Sequence, residues 1–190
     1  GSDMELALDG HGFFQLAAAM RIARKVQDLD MLWLEDIIRP DGIDTIADLR
    51  RQTDVPLAVS EMLVGYEDYR LVLEKRAADY VMIDPTWVGG ISQSRRVAEL
   101  AQFYNVPVVM HDCTGPFTLL SGIQVGSAAS NVAWQETLRA HIRILYPQLI
   151  RESIPVIDGQ ALPLQTPGIG ASWQPEIFER SDAGVRVSSI

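Results

Sequence analysis

Six acidic or basic side chains each close a short apolar run: Asp9 ends MELALD, Glu35 MLWLE, Glu61 PLAVSE, Asp84 YVMID, His111 VPVVMH and Glu136 NVAWQE. Asp9, Glu35 and Glu61 come from consecutive runs, and three converging carboxylates would repel one another unless a cation sat among them. Hard oxygen donors in a rigid array suit Mg2+, with waters and a substrate carboxylate completing the shell. A solvated rim acid is the plainer reading of any one of them alone; three at matched positions favour the ion. Asp84 and His111 come from the next two runs. If they meet, the carboxylate fixes one imidazole tautomer and favours the protonated ring, giving an oriented acid or base near neutral pH; a structural histidine held by a carboxylate is the competing reading. Glu136 closes the series and could bond the far oxygen of a substrate. His11 lies two residues after Asp9 and points to the same side if strand geometry persists; otherwise it is an exposed loop histidine.

The intervals between these six residues are 26, 26, 23, 27 and 25. A strand, a turn, a helix and a return loop take about that many residues, so the repeat predicts a parallel sheet with one chemical group at the carboxyl end of each strand, the place where (β/α)8 barrels carry their sites. The segments between the runs have helical periodicity: Leu16, Met20, Ala23 and Val26; Ile43, Ile46, Ala47 and Leu49; Tyr69, Val72 and Leu73; Val97, Leu100, Ala101 and Tyr104. Ser92 is the expected N-cap of the last of these, with Gly89-Gly90 turning the chain into it. Alternation back from the strand ends places Trp33 and Met31, and Trp134 and Val132, in the barrel interior.

Composition fits a globular α/β protein: 47% hydrophobic, 22% charged, one cysteine and a net charge of −9. The acidity argues against a nucleic-acid partner. No apolar run approaches the roughly 20 residues of a membrane span, so a membrane is not expected, and the lone Cys113 fits a reducing cytoplasm. Six βα units fill residues 4 to about 150, whereas a closed barrel needs eight and about 250 residues. An open remnant would expose two sheet edges, so the chain is expected to be part of a longer polypeptide. Residues 1–153 form the partial barrel. From 154 to 190 the Pro- and Gly-rich IPVIDGQALPLQTPGIG reads as turns and short strands, a tail packing on a second domain. Gly168-Ile169-Gly170 lacks the strand-helix context of a phosphate loop. His141 is expected to stand alone on a helix surface, and Cys113 to be buried or incidental.

The motifs LALDGHG, LWLEDIIRP, LAVSEML, VMIDPTWVGGIS, VVMHDCTGP and WQETLR, with the tail PVIDG and PGIG, resemble the enolase superfamily and its mandelate racemase subgroup. The resemblance runs over nearly the whole chain but corresponds to the second half of a member: barrel strands three to eight, without strands one and two or most of the capping domain to which the tail returns. It implies that Asp9, Glu35 and Glu61 are Mg2+ ligands, that Asp84 and His111 are the general-base dyad, and that Glu136 supports an enolate formed by proton abstraction α to a carboxylate. Asp-Gly-His at 9–11 is similar to acid-sugar dehydratases of the galactonate and gluconate type, whose histidine protonates the departing hydroxyl, and this points to His11. Dehydration of an aldonic or aldaric acid to a 2-keto-3-deoxy acid is therefore expected, by a homo-oligomer of two to eight copies. EDIIRP is longer than the Glu-Asp-Pro or Glu-Glu-Pro of many relatives, so that loop is expected to differ. A Lys-x-Lys base on the strand that is absent would instead permit an epimerase, racemase or cycloisomerase. A truncated, non-catalytic homologue is the reading from another class.

Overall fold

The computed structural model describes residues 3–184 and 186–187. Its main sheet has six strands, β1 (Leu6–Asp9), β2 (Met31–Glu35), β3 (Leu57–Val59), β4 (Tyr80–Ile83), β5 (Val108–Met110) and β6 (Val132–Gln135). They lie in sequence order and every pairing is parallel. The helices between them are α1 (Leu16–Val26), α2 (Ile43–Arg51), α3 (Tyr66–Glu74), the single turn α4 (Pro85–Val88), α5 (Ile91–Phe103) and α6 (Pro116–Ala128). The sheet curls into a partial (β/α)8 barrel, as the spacing predicts, and each predicted helical set falls on a helix apart from Tyr104, which is the C-cap of α5.

Alternation divides the core. The outward strand residues Leu34, Leu57, Val59, Val81, Ile83, Val108 and Met110 pack with Ala19, Met20, Ile46, Leu49, Tyr69, Val72, Val97 and Ala101 of the helices. Burying each large aliphatic of this set contributes on the order of 1.5–3 kcal/mol. The inward residues Trp33, Ala58, Met82 and Val109 form a separate, smaller cluster. Met82, Val109 and Trp33 are each two residues before a site residue, so the same alternation that hides them aims Asp84, His111 and Glu35 inward at the strand ends.

Two of the four residues expected inside are elsewhere. Met31 and Val132 pack with the outer cluster, because the β1–β2 pairing shifts between Leu6 and Ala7 and the β5–β6 pairing between Val108 and Val109. Each irregularity reverses the facing of residues beyond it. Trp33 is buried inside, whereas Trp134 meets it edge-on at 6.3 Å and keeps 42% of its surface exposed. Among the described strands β6 has a neighbour on one side only, which leaves part of that indole uncovered.

Ser92 is not a cap. The helix α5 starts at Ile91 after Gly90, and Gly89 and Gly90 hold φ of 106° and 98°, a turn that side chains would strain. Beyond β6, a short π-turn (His141–Leu145) and a 3₁₀ turn (Tyr146–Gln148) lead to a hairpin of β7 (Val156–Ile157) and β8 (Gln160–Ala161), reversed at Asp158-Gly159 with φ of 50° and 77°. The described tail packs on α6: Ile154, Leu164 and Ile169 join Leu119, Leu120, Ile123, Tyr146 and Ile150, and Trp173 meets Phe117 edge-on at 4.6 Å. Gly168 and Gly170 sit in this turn, and Ile169 between them is a packing residue.

Candidate active site

Parallel ladders bring the strand ends into one rim. Asp9 pairs with Glu35 in register, Gly10 donates its amide to the Glu35 carbonyl at 2.8 Å, His111 to Ile83 at 2.9 Å and Glu136 to Met110 at 2.8 Å. Below them Tyr69 is fully buried, its hydroxyl 2.8 Å from the Met82 carbonyl and 3.1 Å from that of Ser60, tying the ends of β3 and β4 together.

Asp84 and His111 meet, as their positions predict. Pro85 opens α4 and Asp84 is its N-cap, accepting the Thr86 and Trp87 amides on Oδ1 at 2.7 and 3.2 Å. Its other oxygen, Oδ2, accepts the Thr114 hydroxyl at 2.6 Å and lies 2.8 Å from His111 Nδ1. Burial alone would raise the Asp84 pKa, but the bonds from His111, Thr114 and the two amides hold it below the ordinary carboxylate value. Burial likewise disfavours charge on His111; the Asp84 bond and the negative field of Glu136 and Glu61 outweigh it and hold the imidazole pKa above its ordinary value. With Nδ1 committed to Asp84, Nε2 faces the rim, 3.7 Å from Glu136 Oε2 and 3.5 Å from Cys113 Sγ. Burial raises the Glu136 pKa against the His111 charge and the Asp112 amide. Cys113 is exposed rather than buried, because it follows the strand end into the loop before α6; partial burial and nearby carboxylates keep its thiol pKa high.

The carboxylate side is less settled. Trp33 Nε1 donates to Glu35 Oε2 at 2.9 Å, the His11 amide donates to Asp9 Oδ1 at 2.7 Å, and His11 Nδ1 lies 3.3 Å from Glu61 Oε1. Glu61 Oε2 is buried with no hydrogen-bond partner. Burial, opposed by the Trp33 bond and reinforced by Glu136, Asp9 and Glu61, pushes Glu35 up to about 7. Among the described residues no three His, Cys, Asp or Glu side chains are gathered into a ready metal cage. The donor chemistry nevertheless fits a hard divalent cation: the three carboxylates repel one another and one buried oxygen is orphaned, and a cation would relieve both.

His11 reaches this group by a different route from the one alternation suggests. Strand β1 ends at Asp9 and His11 has φ of 43°, so strand geometry does not persist. A left-handed backbone turns the ring toward Glu61 instead, with 60% of the side chain exposed to the rim.

Other site residues have weak sequence signals. Asp36 is buried, with φ of 37°, and accepts the Ser60 hydroxyl at 2.5 Å. Burial and its contact with Glu61 push it up to about 9. Its Oδ1, like Glu61 Oε2, is buried with no hydrogen-bond partner. In the same loop Ile37 and Ile38 are buried, and Ile38 bridges to Phe13 and Phe14. Asp112 is fully buried beside His111, and His141 is not alone: its Nδ1 lies 3.3 Å from the Tyr146 hydroxyl, which donates to Asp112. A polar residue directly after each strand-end group is the only local hint of Asp36 and Asp112.

Residues 1–177 match the family model described as enolase C-terminal domain-like. The chain is 28% identical over 181 residues to an arabinonate dehydratase of Saccharolobus solfataricus, covering 94% of this chain and 48% of that one. It is 31% identical over 181 residues to a D-xylonate dehydratase of Haloferax volcanii, with 94% and 43% covered. It superposes on the crystal structure of an enolase protein from Sargasso Sea environmental sequencing with a TM-score of 0.92 and 34% identity, over 98% of this chain and 50% of that one. The chain thus spans about half the length of the curated relatives it matches.

Proposed function

The chain belongs to the enolase C-terminal domain-like family, and on that premise we propose that the whole protein is a Mg2+-dependent dehydratase of a sugar acid. The observation that carries the reading is the buried Asp84–His111 bond of 2.8 Å, which leaves Nε2 facing Glu136 across the rim from Asp9, Glu35 and Glu61. The names of the arabinonate and D-xylonate dehydratases support an aldonate as the substrate class.

The α-proton of a carboxylate is weakly acidic, so its removal needs an oriented base and stabilisation of the charge that develops on the carboxylate oxygens. Mg2+ held by Asp9, Glu35 and Glu61 would supply positive charge at those oxygens. His111 Nε2 takes the proton from C2, and the C2–H electron pair moves into the enediolate. Glu136, in its protonated form, donates a hydrogen bond to the same oxygens. As the enediolate collapses, a C2–C3 double bond forms and the C3–O bond breaks; His11 gives its proton to the departing hydroxide, which leaves as water. The enol then takes a proton at C3 and becomes the 2-keto-3-deoxy acid.

The test is to incubate the full-length protein and Mg2+ with arabinonate, xylonate and galactonate and to assay 2-keto-3-deoxy products. His11→Asn is expected to reduce dehydration far more than C2 proton exchange in deuterated water. Equal loss of both would remove the acid role from His11. C2 epimers without keto product would replace the dehydratase by an epimerase.

A further inference from the structure

We infer that Asp112 is a positioning residue that holds His111 and Glu136 at their working separation. Its carboxylate has both oxygens engaged: Oδ1 accepts the Tyr146 hydroxyl at 2.6 Å and Oδ2 accepts the Thr137 hydroxyl at 3.1 Å. Its amide lies 3.4 Å from Glu136 Oε2, the oxygen that faces His111 Nε2. A single buried side chain thus clamps the loop after β5 to the loop after β6, and the residues on either side of the clamp, His111 and Glu136, are the pair whose distance it sets. Tyr146 extends the clamp into the apolar cluster of Ile150, Leu119 and Leu120, a rigid footing outside the sheet. The carboxylate is completely removed from water, and leaving such a group there is stabilising only because its partners satisfy it.

A similar construction recurs across the sheet. Asp36 follows Glu35 as Asp112 follows His111, and Asp36 takes the hydroxyl of Ser60 beside Glu61 as Asp112 takes that of Thr137 beside Glu136. In both places an aspartate one residue past a site residue grips a hydroxyl next to the following strand's site residue. Two occurrences at corresponding positions argue for a positioning device.

The geometry is tested without any substrate. In the full-length protein with Mg2+ present, the imidazole of His111 is titrated by NMR with labelled histidine, assigned by its disappearance in His111→Asn. The charged and titratable groups facing this ring are Asp84, Glu136, Glu61, Cys113 and Asp112 itself. Asp112→Ala frees Glu136 to move away, so the His111 midpoint should fall, and Glu136→Gln in that background should add little further shift. Asp112→Asn can still accept from Tyr146 and donate to Thr137, and should restore most of the midpoint although it has lost the charge. Thr137→Val, which removes one bond, should give a smaller fall and covers the case in which Asp112→Ala does not fold. An unmoved midpoint in the Ala and Val variants overturns the inference, as does an Asn variant that falls as far as Ala, since the effect is then one of charge.

The catalytic consequence rests on the reading of His111 as the proton acceptor. C2 exchange of xylonate should fall about tenfold in Asp112→Ala, with its acid limb following the NMR midpoint, and recover in Asp112→Asn. If His111→Asn still exchanges C2, that reading fails, while the NMR result continues to decide the clamp.

Discussion

The two sides of the rim are built differently. On the Asp84–His111 side every buried oxygen of Asp84 has a partner, four groups bond to it, and the histidine is fixed in one tautomer. On the Asp9–Glu35–Glu61 side an oxygen is left without a partner and Glu35 is driven toward neutrality. The protein alone completes the first arrangement; in the second, the proposed ion would supply the missing partner. A proton-transfer group must be preorganised before substrate arrives, whereas an ion site can store repulsion that binding releases.

The largest expected effect separates the two sides. His111→Asn should lower C2 proton exchange about a thousandfold and leave Mg2+ affinity, measured by calorimetry, within about twofold, because His111 is not one of the carboxylates proposed to hold the ion. Glu61→Gln should do the converse to the ion, weakening it about tenfold or more. If both variants move both readouts alike, the division is wrong.

A second effect concerns pH. Glu35 has its pKa raised from 4.5 to about 7 in the fold, so the folded state holds more protons than the unfolded chain between those values. Metal-free stability must therefore fall as pH rises through that window, by roughly 3 kcal/mol if the group acts alone. Asp36, raised from 3.8 to about 9, continues the trend upward. Denaturant titrations of the metal-free protein between pH 4.5 and 7 should show the decline, Glu35→Gln should flatten it, and Mg2+ should oppose it. Stability that rises with pH in the metal-free protein would contradict the stored repulsion.

On the preorganised side the sign is set by His111. Its folded pKa lies above 6.5, so the base is neutral and active only above that value, and kcat/KM should climb as pH rises through it. Asp84→Asn removes the negative charge from the acceptor that raises the pKa, so the acid limb should move to lower pH while the maximal rate drops about tenfold. The smallest effect lies outside both sides: Ser92→Ala should change stability by less than about 0.5 kcal/mol, because the helix starts from Gly90 instead.

Much of this was readable from the chain because it depends on short-range periodicity. Runs of alternating residues ending in a polar group, spaced one βα unit apart, carry the strand order, the helices and the six rim groups. What escaped reading depends on contacts between distant residues or on single backbone angles. The Asp36–Ser60 and Asp112–Tyr146 bonds join residues 24 and 34 apart, and nothing local announces them. Strand alternation points to His11, but the strand stops two residues earlier, and a positive φ brings the ring to Glu61 all the same. Met31 and Val132 fail the alternation because a one-residue irregularity in pairing leaves no mark in composition. Trp134 stays half-uncovered because β6 ends the described row of strands.

That row has each strand bonded only to the ones before and after it in the chain. Every pairing therefore closes a loop of about one βα unit, so each unit can dock on its predecessor without waiting for distant sequence. As a chain emerges from the ribosome, the segments bearing Asp9, Glu35 and Glu61 can assemble while the stretch carrying Glu136 is still being made. On that order the mutually repelling carboxylates would come together first, and the nascent protein would meet available cations before the proposed Asp84–His111–Glu136 group is complete.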